Sequence, residues 1–139
     1  MMKISNILRL SSLALLLAVG NTQARVVVIG HPGLGKLDAT TVQKIYTGKA
    51  IEVGGVAVRV VNAILGNPAR GQFLQAYLNQ DEDKYAAYWT VRRYIGKGAP
   101  PPELPSSADV IKFVQDNPGA IGYIDEADVK PGLNILLKK

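Results

Sequence analysis

The sequence contains no cysteine and one histidine, His31. Without thiols the chain can form neither disulfides nor thiolate metal sites, so its stability must come from a packed core even in an oxidising compartment. A single histidine cannot build a His-based metal site, and no Ser/His/acid or Cys/His set accompanies it. We therefore expect no catalytic residues, no metal and no cofactor.

Dense basic patches are also absent. The formal net charge of +5 over 139 residues falls by two without Lys3 and Arg9, which lie in a predicted leader. This mild positive charge suits small anions or an acidic surface, and it excludes the extended basic face of a nucleic-acid binder.

No apolar run is long enough to span a bilayer. Residues 1–24 read as a secretory signal peptide, with a short apolar core and the small-residue cleavage pattern Thr22-Gln23-Ala24. The alternative is an uncleaved anchor, and no cysteine follows that could carry a lipid. We expect cleavage before Arg25, no stable membrane anchor, and one periplasmic domain over residues 25–139.

The chain after Arg25 alternates strand and helix patterns. The β-branched run that opens it, RVVVIG, is typical of a strand buried on both faces of a mostly parallel sheet. The remaining predicted elements are helix 38–47 capped by Asp38, strand 56–62, helix 67–79, helix 81–95, helix 106–116, strand 120–124 and strand 133–137. Arg59, within strand 56–62, is expected either to point to solvent or to lie near a sheet edge.

Gly30 to Lys36 matches the spacing of a nucleotide phosphate loop between a strand and a helix. Leu37 stands where such loops need a hydroxyl for Mg²⁺, and the helix is capped by Asp38 rather than starting at the lysine. The sequence therefore argues against a nucleotide site.

Tyr85, Tyr88, Trp89 and Arg92 fall on one helix face at i, i+3, i+4 and i+7. Such a stripe could stack a sugar or a base, but at helical spacing it is more typical of core packing. Gly122, inside the strand 120–124, similarly predicts either close packing or an open ligand face.

Three motifs resemble a known family: IYTGK (45–49), Tyr88-Trp89 followed by Gly96-Lys97-Gly98, and PGAIGY (118–123). Together they are similar to phosphate-type substrate-binding proteins of ABC transporters, which have the type 2 periplasmic-binding-protein fold. The resemblance implies an α/β fold: a single lobe with a mixed, mostly parallel sheet flanked by helices. The family's phosphate-binding Arg and Ser-Gly-Thr are not retained, since Ala63 and Asn67-Pro68-Ala69 occupy their positions.

The helix start at Asn67 and Pro68 nevertheless favours an anion, because free N–H groups and the helix dipole point there. The predicted ligand-binding residues are Asn67, Ala69 and Arg70, with Lys97 as a further neighbour. The alternatives are an ordinary capped helix with Arg70 in solvent, and an exposed Lys97.

The resemblance implies an exported protein that binds phosphate or another small anion as a component or relative of an ABC importer, not an enzyme. The expected partners are an ABC permease or another periplasmic protein. Because one lobe gives a site only one wall, a homodimer could supply the second wall. The alternative is an accessory module that keeps the fold without binding a ligand.

Overall fold

A computed structural model describes residues 25–139, and the predicted signal peptide lies outside this range. No helix in the described range is long and apolar enough to cross a bilayer. The elements are β1 (Val26–Gly30), α1 (Ala39–Tyr46), β2 (Glu52–Val53), β3 (Val56–Ala57), β4 (Arg59–Val60), β5 (Asn62–Ala63), α2 (Pro68–Phe73), α3 (Glu82–Tyr94), β6 (Glu103–Leu104), α4 (Ser107–Asp116), β7 (Ala120–Asp125) and β8 (Asn134–Lys138). A π-helical turn, Leu74–Leu78, continues α2, and a 3₁₀ turn, Glu126–Asp128, follows β7.

The main sheet has four strands in the order β4-β7-β1-β8. The predicted mixed α/β fold with flanking helices is confirmed. However, β1 pairs antiparallel with both β7 and β8, and in this sheet only the short β4 pairs parallel, with β7. This corrects the expectation of a mostly parallel sheet.

The physical reason is that β1 is covered on both faces. Val26 and Val28 belong to one core, which the helices α1, α2 and α3 contribute to, whereas Val27 and Ile29 belong to a second core under α4. A continuous apolar run indicates that a strand is buried on both faces of its sheet, but it does not indicate whether the neighbouring strands are parallel or antiparallel.

The helices α1 to α4 each begin at a side-chain cap, as predicted at Asp38 and Asn67. Asp38, Asn67, Asp81 and Ser106 each accept a hydrogen bond from a backbone N–H in the first turn of α1, α2, α3 and α4. These caps fix where each helix begins, and so they fix the loops that border the site.

The aromatic stripe of α3 packs as core, as its spacing indicates. Tyr85 and Trp89 are buried, and the Arg92 guanidinium lies 5.6 Å from the centre of the Tyr88 ring and 5.7 Å from that of Trp89. The stripe therefore anchors α3 to the rest of the domain.

The predicted strand 56–62 is divided into three short strands that serve different sheets. β3 pairs with β2, β4 with β7, and β5 with β6. Arg59, in the edge strand β4, is exposed, and its Nη1 donates to Asn117 Oδ1 at 2.9 Å, which confirms its predicted place at a sheet edge. The divided strand carries the chain from the main sheet to β5, where the candidate site begins.

The glycine-rich loop after β1 has none of the geometry of a phosphate loop. Lys36 Nζ donates to the Ile135 carbonyl of β8, and the Leu37 amide donates to Leu136. The loop is therefore tied to the sheet edge, and α1 begins only at Ala39.

Candidate functional site

The junction between β5 and α2 brings three of the predicted ligand residues together. Asn67 Oδ1 accepts from the Ala69 amide at 3.0 Å, and the Arg70 amide donates to the Asn67 carbonyl at 2.9 Å. Pro68 has no N–H to offer. The amides at this helix start are therefore occupied by the protein's own cap.

Arg70 is buried, with 6% of its surface exposed. Its Nε and Nη2 form a bidentate pair with Glu82 Oε2 and Oε1 at 2.8 and 2.6 Å. Its Nη1 donates to Glu103 Oε1 at 2.6 Å and to the Ala63 carbonyl at 3.0 Å. The expected alternative, with Arg70 in solvent, is wrong, because acidic residues from α3 and β6 close around it.

The charge state of Arg70 follows from two opposing effects. Burial disfavours the charged guanidinium, but the hydrogen bonds and charges of Glu82 and Glu103 outweigh it and raise the Arg70 pKa above its ordinary value. Arg70 therefore stays a cation. Of its five N–H groups, one on Nη2 has no partner among residues 25–139.

A buried polar network lies beside this pair. The Asn62 side chain donates to the Tyr85 hydroxyl and accepts from the Tyr123 hydroxyl, each at 3.0 Å. The Tyr123 hydroxyl also accepts from the Ala63 amide at 3.1 Å. Burial raises the pKa of both tyrosines, so they remain neutral hydrogen-bonding groups. The network fixes the end of β5, from which the Ala63 carbonyl contacts Arg70.

A cavity of about 560 Å³ opens between α3 and the segment around β6. This volume lies within the range of sites that hold small organic ligands. The lining residues are Arg70, Tyr85, Ala86, Trp89, Thr90, Arg93, Tyr94, Pro100 and Glu103.

Two donors on the lining residues lack an acceptor within residues 25–139. Trp89 is buried, and its Nε1–H lies close to the Tyr85 hydroxyl. Burial raises the pKa of Tyr85, and the nearby indole N–H partly offsets that rise. The two atoms nevertheless fall outside hydrogen-bond geometry. Arg93 is exposed and makes no ion pair within the described part of the chain.

A second cavity, of about 350 Å³, also borders Trp89. It runs between residues 50–60 and residues 99–102, and it shares Trp89 and Pro100 with the first cavity. Its lining is mostly aliphatic, so it adds apolar surface and little polar chemistry.

Lys97 lies apart from the Arg70 cluster. Its side chain is exposed and lines neither cavity, and its carbonyl accepts from Arg92 Nη2 at 3.3 Å. The structure therefore brings Asn67, Ala69 and Arg70 together and leaves Lys97 on the neighbouring loop.

Sequence reasoning did not find Glu82 and Glu103, which lie 12 and 33 residues from Arg70. The sequence signals that could have suggested these partners of Arg70 are an acidic residue in the first turn of α3 and a glutamate after the proline-rich loop. Among residues 25–139, no cluster of acids and histidine could hold a metal ion.

The fold is that of one lobe of a type 2 periplasmic-binding protein, and solved phosphate-transport receptors share it. An ABC-type phosphate transport receptor from Vibrio cholerae superposes with a TM-score of 0.63 at 15% identity, over 81% of this chain and 45% of that one. A Clostridium perfringens protein assigned as a phosphate ABC transporter substrate-binding protein, with bound phosphate, gives 0.61 at 20% identity, over 81% and 44%. PstS from Borrelia burgdorferi gives 0.61 at 18% identity, over 81% and 46%.

This chain thus covers less than half the length of those receptors, and the likeness is one of fold. No family model matches the sequence, and no curated protein matches it significantly.

Proposed function

We propose that the chain is an exported, non-enzymatic substrate-binding protein that takes a small anion as a component or relative of an ABC importer. The observation that carries this proposal is the cavity of about 560 Å³ bordered by the buried cation Arg70. The fold shared with phosphate-transport receptors supports it. The leader predicted over residues 1–24 supports a periplasmic location.

In this proposal Arg70 and the cavity form the centre of the site. Asn67 and Ala69 act by fixing the start of α2, and Lys97 lies on the neighbouring loop outside the cavity lining. The cavity is open on one side, so a second copy, a permease or another periplasmic protein would supply the missing wall.

A second function, an accessory module without a ligand, is favoured by one specific observation. Both carboxylates facing Arg70 come from the protein itself, so the cation is already neutralised. An anion must therefore compete with Glu103, whose side chain keeps 45% of its surface exposed and is the more accessible partner.

The two functions are separated by ligand binding to the purified protein. Phosphate, sulfate and acetate at about 10 mM, against chloride at matched ionic strength, should raise the melting temperature if any binds. Ligand at a hundredfold excess over Kd stabilises a fold by about 2.7 kcal/mol. Calorimetry then gives the Kd directly.

Glu103→Gln removes the competing charge, so anion affinity should rise severalfold if the site lies at Arg70. Glu52→Gln, an exposed change on β2 outside the cavity lining, is the matched control. If no anion binds either protein, the accessory function replaces the transport one.

A further inference from the structure

We infer that the cavity beside Arg70 takes an organic anion, a carboxylate or phosphate ester attached to an aromatic or similarly apolar body, in preference to a bare inorganic anion. This inference rests on the proposed function and names its ligand class. It is supported by the lining of the cavity, where the apolar surface of α3 lies beside the hydrogen-bond donors of Arg70 and Arg93.

The wall is provided by one face of α3 and the loop opposite it. Tyr85, Trp89 and Pro100 form the deeper part, and Tyr94 lies at the rim with 92% of its surface exposed. Tyr85 and Trp89 are already buried, so the apolar surface still open to water at this wall is mainly that of Tyr94. A bare phosphate or sulfate would leave the Tyr94 ring in contact with water, whereas a ligand with a ring would cover it, and ring pairs with tyrosine add attraction beyond the area buried.

The polar groups of the lining call for acceptors. Arg93 places an exposed guanidinium at the cavity wall, and Arg70 at its border retains one N–H without a partner among residues 25–139. The Trp89 Nε1–H is buried beside the Tyr85 hydroxyl and does not contribute a ligand contact. A ligand that brings acceptor oxygens can form a charge-assisted hydrogen bond with the Arg93 guanidinium.

The charges of the lining disfavour a cation. It contains two guanidinium groups, those of Arg70 and Arg93, and one carboxylate, Glu103, which already contacts Arg70. Arg70 is also paired with Glu82, which lies outside the lining, so Arg93 is the charged group of the lining that makes no ion pair within residues 25–139. An anion can pair directly with Arg93, whereas an ammonium ligand would have to compete with Arg70 for its carboxylates.

Trp89 makes the test direct, because it is the only tryptophan of the chain and lines the cavity. Its fluorescence is followed while the protein is titrated with benzoate and with phenyl phosphate. Inorganic phosphate, benzyl alcohol and benzyltrimethylammonium are the comparison ligands, and calorimetry checks each Kd. We expect benzoate or phenyl phosphate to bind at least about tenfold more tightly than every comparison ligand, a difference of roughly 1.4 kcal/mol.

Two exposed positions of the lining give variants that keep the fold. Arg93→Gln should weaken the organic anion by about fivefold to tenfold, as expected for a charge-assisted hydrogen bond at an open site. Lys84→Gln removes the same charge from the same helix outside the lining and should change nothing. Ala86→Phe should fill the cavity and abolish the fluorescence change, with circular dichroism confirming that the helices remain.

The outcomes separate this inference from the proposed function. If inorganic phosphate binds as tightly as phenyl phosphate, the ligand class is wrong and the anion-binding function stands. If benzyl alcohol or benzyltrimethylammonium binds best, the anionic requirement is refuted. If no ligand binds, or binding survives Ala86→Phe unchanged, the cavity is not the site.

Discussion

Gly122 tests how closely the second core is packed against β7. A Cβ added at this position would lie 2.6 Å from Val110 Cγ1, 3.2 Å from Val61 Cγ2 and 3.5 Å from Val114 Cγ2. The first distance is too short for any real contact, so the Val110 side chain, or α4 with it, must move to admit even one methyl group. The glycine therefore lies on a packed face, not on an open ligand surface.

The cost of Gly122→Ala follows from two opposing terms. Overpacking a core costs about 1–3 kcal/mol. The alanine also restricts the unfolded chain, which returns about 0.4–1 kcal/mol at a compatible backbone conformation. We expect a net loss of about 1–2 kcal/mol, or roughly 3–10 °C in melting temperature for a domain of this size. Gly122→Val should lose more than about 2 kcal/mol.

A double-mutant cycle measures the interaction between the two positions. The free energy of unfolding in urea is compared for the wild type, Gly122→Ala, Val110→Ala and the double variant. Because Val110 Cγ1 is the nearest atom, the double variant should be more stable than the sum of the single losses by about 0.5 kcal/mol or more. A neutral Gly122→Ala, or strict additivity, would refute the packed-face argument.

Four further predictions concern other parts of the chain. Arg70→Met leaves two acids facing an apolar side chain and should cost about 1–3 kcal/mol in urea unfolding, reduced because both acids are partly exposed. Asn67→Ala removes the cap of α2 and should lower the free energy of unfolding by about 1 kcal/mol in the same assay, whereas Asn67→Asp should keep most of the wild-type stability. The hydrogen bond from Lys138 lowers the pKa of Glu126 in the folded state. This ion pair therefore stabilises the fold above the unfolded-state pKa of Glu126, and the stabilisation is lost as the pH falls through the folded-state pKa. Glu126→Gln should accordingly reduce the fall in melting temperature below about pH 4. Mass spectrometry of the periplasmic fraction should find Arg25 as the first residue, and an intact Met1 on soluble protein would contradict the export prediction.

The local structure could be predicted because its signals are local. Asp38 and Asn67 each cap a helix through a side chain that reaches only the next turn. The turn before β7 is similarly forced by Gly119, whose φ of +75° and close approach to the Ala57 carbonyl exclude any larger residue.

The tertiary arrangement could not be predicted in the same way. Nothing in the run Val56 to Asn62 states that its successive residues pair with three different partners. Likewise, nothing near Arg70 indicates that Glu82 and Glu103 will meet it, since that contact depends on how α3 and the loop before β6 fold back. The sequence therefore predicts a site at the start of α2, whereas the cavity that borders Arg70 is lined mainly by α3, whose aromatic stripe the spacing assigns to core.

The pairing of β1 has a consequence for the order of folding. Its two neighbours in the sheet, β7 and β8, follow it in the sequence by about 90 residues or more, so the central strand has no partner in the main sheet until residues 120–138 are available. Pairings between such distant segments form slowly, because a long loop must close before any contact is gained. A chain emerging from the ribosome would consequently remain without the pairing of β1 until β7 has emerged.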